Sequence, residues 1–240
     1  MKNYNSMVDY TSLTEKETSQ DIVDLCINAD KLGVKSVCVY PQWVKTAKLA
    51  LSSLGSNVLV CTVISFPKGD NTTEDKLIET GIALNDGADE IDMVIDYNSI
   101  IIDENFDGST AYLYMMEELV QMSNLCHENG KILKVIVESG LLTLQNVEML
   151  TEMCIDSECD FIKTSTGKVS VGAELDKVEL MREVIEAYDG RENKMQIKAS
   201  GGVRTLSDQN DFAPFVNRFG MGFGSVDQIN GVKNEVKSDY

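Results

Sequence analysis

Asp160-Phe161-Ile162-Lys163-Thr164-Ser165-Thr166-Gly167-Lys168 is the stretch on which the reading of the whole chain turns. Residues 161–165 have the apolar and hydroxylated make-up of a short strand, yet a lysine stands in the middle. A glycine turn follows, and a helical pattern begins beyond it. A strand with helices outside and side chains filling its inner face has no wet side. An ion there costs several kcal/mol unless it is paired.

Seven further β-rich runs lie outward from this one: 7–12, 36–40, 58–64, 90–95, 132–138, 195–200 and 216–220. The centres of all eight fall about 30 residues apart, the length of one strand, one helix and two loops. The stretches between them carry helical stripes. Ile22, Leu25, Cys26, Ala29 and Leu32 form one, with Thr14-x-x-Glu17 as a capping box and Gly33 as the stop. Tyr112, Met115, Met116, Leu119 and Val120 form another, closed by Gly130. Val178, Met181, Ile185 and Tyr188 form a third, closed by Gly190. Residues 73–84 and 143–154 read similarly, whereas 204–213 is short and polar. Eight β-α alternations without a break in composition suit a single parallel sheet, either closed as a (β/α)8 barrel or open and doubly wound. The even count of eight favours the barrel. No GxGxxG follows the first strand and no GxxxxGK[ST] occurs, which weakens the nucleotide-binding open sheets. The expectation is one α/β domain over 1–240, a TIM barrel, with 234–240 as a flexible tail.

Composition narrows the function. Among 240 residues, 39 are acidic and 21 basic, a net charge of −18. So acidic a surface repels phosphate backbones and anionic lipid, and neither nucleic acid nor membrane is expected as a partner. No apolar run is long enough to span a bilayer, and the opening MKNYNSMVDY lacks the apolar stretch of a secretion signal. A cytoplasmic protein is expected. Its six cysteines contain no CxxC pair, and His127 is the only histidine. A zinc site would have to be all-thiolate at spacings that do not suit one, so buried free thiols in a reducing compartment are the reading.

The Lys163 anomaly repeats. Lys198 stands in Gln-Ile-Lys-Ala-Ser, Lys134 in Leu-Lys-Val-Ile-Val and Asp92 in Ile-Asp-Met-Val-Ile. At the C-terminal rim of a barrel, where such folds keep their chemistry, the cost of these ions is relieved. Two lysines close together suit Schiff-base formation, because a neighbouring cation and burial both disfavour an ammonium and leave an amine able to attack a carbonyl. A carboxylate within reach can then move protons. Two glycine turns follow the lysine strands, Thr164–Lys168 and Ser200–Arg204, and their exposed amides make anion nests beside Lys168 and Arg204.

DFIKTSTGK (160–168), KASGGVRT (198–205), GADEIDMVI (87–95), LKVIVESG (133–140) and CVYPQ (38–42) resemble, in order, the deoxyribose-phosphate aldolase family. The resemblance implies a class I aldolase on a (β/α)8 barrel, interconverting 2-deoxy-D-ribose 5-phosphate with glyceraldehyde 3-phosphate and acetaldehyde in deoxynucleoside breakdown. By that likeness Lys163 forms the Schiff base, Lys198 perturbs it and takes part in proton transfer, and Asp92 works with them through a water. Asp9, Cys38 and Lys134 would line the substrate pocket. Gly167, Lys168, Gly201, Gly202, Arg204, Gly220 and Gly222 would stand on the phosphate side, and Tyr240 on the tail would assist proton exchange. No metal or organic cofactor is expected, since the iminium is the electron sink. The partners expected are aldehyde and sugar-phosphate molecules, with a homodimer as the candidate assembly. One stretch departs from the family: where Gly-x-Ser-Ser or Gly-x-Ser-Ala follows the last strand, this chain has Gly220-Met221-Gly222-Phe223. Two competitors stay open, an aldolase for an unphosphorylated acceptor and a non-catalytic sugar-phosphate-binding barrel.

Overall fold

Eight parallel strands close on themselves in sequence order, each hydrogen-bonded to the next and the last to the first. The structure, a computed structural model, describes residues 3–102 and 108–232. In chain order the elements are β1 (Val8–Thr11), α1 (Ser19–Leu32), β2 (Ser36–Val39), α2 (Val44–Leu54), β3 (Leu59–Ile64) and α3 (Thr73–Asn85). Then come β4 (Glu90–Val94), α4 (Tyr97–Ile102), α5 (Thr110–Glu128), β5 (Ile132–Ile136), α6 (Leu144–Asp156) and β6 (Phe161–Lys163). The chain continues through α7 (Leu175–Tyr188), β7 (Gln196–Ser200), α8 (Leu206–Phe212), β8 (Arg218–Gly222) and α9 (Phe223–Asn230). The (β/α)8 barrel expected from the spacing is the fold. The expected tail at 234–240, Tyr240 included, lies outside the described residues.

Local chemistry sets the helix ends. Thr18, not Thr14, caps α1: its hydroxyl accepts from the Asp21 amide while Asp21 reaches back to the Thr18 amide. Thr14 and Glu17 lie in the preceding loop, where Glu17 accepts from the Ser12 hydroxyl. Gly33 ends α1 with a φ of 63°, a left-handed conformation that glycine adopts without strain. The stop assigned to Gly190 belongs instead to Asp189, which is extended and whose carboxylate accepts from the amides of Arg191 and Met195. The polar stretch 204–213 does form a helix, because Thr205 and Asp208 make a capping box at its start. Helix α2 went unread, although Val44, Ala47 and Leu51 sit one helical face apart and are buried.

Alternation along the strands divides the side chains between two cores. Outward residues such as Val37, Ile91, Met93, Val135, Ile162 and Ile197 pack against Ile22, Leu25, Leu119, Leu150 and Ile185 of the helices. The inward face is different. A small apolar cluster of Leu13, Cys38, Cys61 and Val63 occupies one side of it. Elsewhere on it Asp9, Glu90, Asp92, Lys134, Lys163, Lys198 and Arg218 bring charge into the interior. Among the described residues no helix is long and apolar enough to cross a membrane.

Candidate active site

Four strands supply the four charged residues that the sequence singled out, Asp92, Lys134, Lys163 and Lys198. Asp92 on β4 is the register partner of Lys134 on β5, and Lys163 on β6 is that of Lys198 on β7. Register partners share a sheet face, so all four point into the barrel. There one carboxylate gathers three ammonium groups. Asp92 Oδ2 accepts from Lys163 Nζ at 2.8 Å and from Lys198 Nζ at 2.6 Å, while Oδ1 accepts from Lys134 Nζ at 2.8 Å. The two lysines of the proposed chemistry are therefore neighbours across a single oxygen atom. Asp92 touches both directly.

Arg218, Glu90 and Cys61, which the sequence reading gave no role, complete the network together with Asp9. Arg218 of β8 donates to Asp9 Oδ1 at 2.5 Å and to Glu90 Oε1 at 3.0 Å. Glu90 also pairs with Lys134 at 2.7 Å, and Asp9 Oδ2 lies 2.5 Å from Lys198 Nζ. The thiol of Cys61 sits 3.1 Å from Asp92 Oδ1 and 3.3 Å from Lys134 Nζ. Asp9 and Lys134, expected to line a pocket, are fully buried inside this network, as Cys38 is in the apolar cluster beside it.

Electrostatics follows from this geometry. Burial alone would raise the Asp92 carboxyl, but Lys134, Lys163 and Lys198 outweigh it and hold the group well below the usual range. Asp9 is likewise lowered, by Lys198, Arg218 and Lys134 against its burial. Burial would lower Lys198, yet Asp9 and Asp92 push it well above an ordinary lysine, so it stays an ammonium. Lys134 is held up in the same way, chiefly by Asp92. Lys134, Lys163, Lys198 and Arg218 face Asp9, Glu90 and Asp92, so one cation is in excess. Lys163 is the lysine of the three with a single carboxylate oxygen in contact.

Beside the lysines the chain turns to glycine. Gly167, Gly201, Gly202, Val203, Arg204, Gly220 and Gly222 line one small cradle, which joins the turns after β6 and β7 to the end of β8. Gly220 ties the cradle to the charged network, since a Cβ there would stand 3.0 Å from Lys198 Cε and 2.7 Å from Ser200 Cβ. Gly222 is the N-cap of α9 and no side chain caps that helix, so its first amides are available to an anion. Ser225 lies in the first turn of α9. Lys168, expected on the phosphate side, does not line the cradle: its Nζ donates to the Leu13 carbonyl at 2.8 Å, linking this loop to the one after β1. Glu138, which the sequence reading passed over, holds the turn from behind. Its φ is 53°, and its carboxylate accepts from the Thr166 amide at 3.2 Å and from the Thr166 hydroxyl at 2.5 Å.

Donor atoms of Cys38, Cys61 and Asp92, and of Asp9, Cys61 and Glu90, lie close enough to share an ion. Each carboxylate in those sets already faces lysine or arginine, which supply the positive charge that a metal would bring.

A family model described as DeoC/LacD family aldolase matches residues 5–223. The deoxyribose-phosphate aldolase of Metamycoplasma hominis is 44% identical over 208 residues, 87% of this chain and 88% of its own length. Among solved structures, QR15, an aldolase, superposes with a TM-score of 0.80 at 32% identity over 94% of both chains. The tetrameric deoxyribose phosphate aldolase from Aeropyrum pernix also gives 0.80, at 25% identity over 97% of this chain and 92% of its own.

Proposed function

Because the chain belongs to the DeoC/LacD family of aldolases, we propose that it cleaves 2-deoxy-D-ribose 5-phosphate reversibly to glyceraldehyde 3-phosphate and acetaldehyde through a Schiff base on Lys163. The observation that carries this reading is the meeting of Lys163 and Lys198 on one oxygen of Asp92, beside a glycine cradle. An unprotonated Lys163 amine adds to the substrate aldehyde, and loss of water gives an iminium. Asp92, linked to the Lys198 ammonium, takes the proton of the C3 hydroxyl as the C2–C3 bond breaks. The bond electrons run into the iminium and leave an enamine, and glyceraldehyde 3-phosphate departs. Protonation of the enamine carbon and hydrolysis then release acetaldehyde and restore the amine. The phosphate rests on the amides of the cradle and the first turn of α9, with Arg204 alongside. Borohydride reduction in the presence of acetaldehyde should fix a two-carbon adduct on the peptide that holds Lys163. An adduct on any other lysine, or none, refutes the assignment.

The Gly222 departure gives a second test. A serine here would occupy the N-cap of α9, where a φ of −57° makes no use of glycine's conformational freedom, and its hydroxyl could reach both a first-turn amide and the phosphate. A hydroxyl bonded to a charged group contributes about 1.5–3 kcal/mol, or roughly 10- to 150-fold in affinity. Gly222→Ser should lower the KM for deoxyribose 5-phosphate and leave that for unphosphorylated deoxyribose nearly unchanged. Equal ratios of kcat/KM in parent and variant would show that the amides and Arg204 already saturate the phosphate.

We read the working form as cytoplasmic and homodimeric. The exposed Ile78 and Ile82 of α3 and Leu113 and Tyr114 of the neighbouring α5 offer the apolar surface that a second copy would cover, and light scattering measures the assembly.

A further inference from the structure

Cys38 on β2 and Cys61 on β3 are Cα partners across a parallel ladder. Such partners point to the same face and stand about 4.8 Å apart, inside the roughly 4.4–6.8 Å window of a disulfide. Their sulfurs and an oxygen of Asp92 all lie within 4.8 Å of one another. Both thiols are fully buried, but Lys163 is itself only 1% exposed and an aldehyde must still reach it. Whatever motion admits an aldehyde to Lys163 would also admit a small oxidant to the barrel interior.

We propose that Cys38 and Cys61 form a reversible disulfide that switches the aldol site off, with hydrogen peroxide as the oxidant. Cys38 is the attacking thiol: a hydrogen bond from Cys61 lowers it, with the Lys198 charge, against its burial. Its sulfur takes one oxygen of the peroxide, the O–O bond breaks, and water leaves behind a sulfenic acid. The Cys61 sulfur then attacks the Cys38 sulfur, the S–S bond forms and a second water departs. Two thiols have lost two electrons and one peroxide has become two waters. The consequence falls on the site, because the Cys61 sulfur lies 3.1 Å from Asp92 Oδ1 and 3.3 Å from Lys134 Nζ. Bonding draws it toward Cys38 and removes its proton, so the carboxylate and the ammonium both lose a neighbour. A competing pair of buried thiols exists at Cys154 and Cys159. Cys159 lies in the loop before β6, and that pair touches none of the proposed catalytic residues.

The test treats reduced enzyme with hydrogen peroxide, alkylates the remaining thiols and maps the peptides without reduction. Expected are a Cys38–Cys61 linked peptide short of two hydrogens, a fall in turnover of roughly tenfold or more, and recovery with dithiothreitol. Cys61→Ala, compared with its own reduced form, should keep most of its turnover after peroxide. The turnover arm rests on the proposed aldol reaction and the peptide arm does not. Borohydride trapping on untreated enzyme separates the two, since a missing Lys163 adduct counts against that reaction alone. A trapped adduct with no Cys38–Cys61 link overturns the proposal. So does a link at Cys154–Cys159 in its place, or a Cys38–Cys61 link that leaves turnover unchanged.

Discussion

Lys163→Ala is expected to retain less than about one part in a thousand of the parent kcat/KM, a barrier increase of roughly 4 kcal/mol or more, while remaining folded. The loss is chemical, because the other lysine on Asp92 Oδ2, Lys198, is held as an ammonium by Asp9 and Asp92 and cannot attack a carbonyl. The fold should survive, because Asp92 keeps Lys134 and Lys198 when Lys163 is gone. Lys134, Lys198 and Arg218 then face Asp9, Glu90 and Asp92 in equal number, and the excess positive charge has disappeared. Truncation to alanine leaves a cavity, so Lys163→Met separates lost volume from lost charge. Its urea midpoint should equal or exceed that of the parent. Turnover in either variant above one part in a thousand would mean that the Schiff base forms elsewhere. A clear fall in the Lys163→Met midpoint would mean that the lysine stabilises the fold it was expected to strain.

What the sequence made legible follows from what each residue must do locally. A strand buried on both faces reads as a short apolar run, and all eight runs stand where strands form. Lys163, Lys198 and Asp92 could be picked out because each interrupts such a run. Arg218 and Glu90 are equally buried, but each begins its strand, where a charge looks like the wet end of a loop. The eighth strand was expected over 216–220 and runs Arg218–Gly222, because its glycines resemble a turn and nothing local says that they lie against Lys198. Cys61 and Glu138 act on partners from other elements, and the left-handed backbone of a glutamate leaves no mark in composition. Lys168 shows the same limit. A cation in a glycine turn suggests phosphate, and only the fold brings the Leu13 carbonyl to its ammonium.

Asp92 carries the other large effect, and on it chemistry and stability can be separated. Asp92→Asn keeps the shape and removes the charge, which leaves Lys134, Lys163, Lys198 and Arg218 facing Asp9 and Glu90 alone. Breaking a buried ion pair in this way costs about 3–5 kcal/mol, and loss of a positioned proton carrier lowers turnover roughly 10²- to 10⁴-fold. The pH dependence has a definite sign. The folded-state pKa of Asp92 is depressed, so its contribution is fully present above the unfolded value of about 3.9. That contribution is lost only as pH falls through the lower folded value. The gap between the urea midpoints of parent and variant should therefore be constant near neutrality and close well below pH ~4. Removing one cation along with the carboxylate decides the origin of the gap. Asp92→Asn with Lys198→Met has one less buried ammonium to compensate and should regain part of the lost stability. It should regain none of the turnover, because both groups that handle protons beside Lys163 are then absent. A double variant no more stable than Asp92→Asn would place the cost in lost hydrogen bonds instead of unbalanced charge. A double variant more active than the single would remove Lys198 from the reaction.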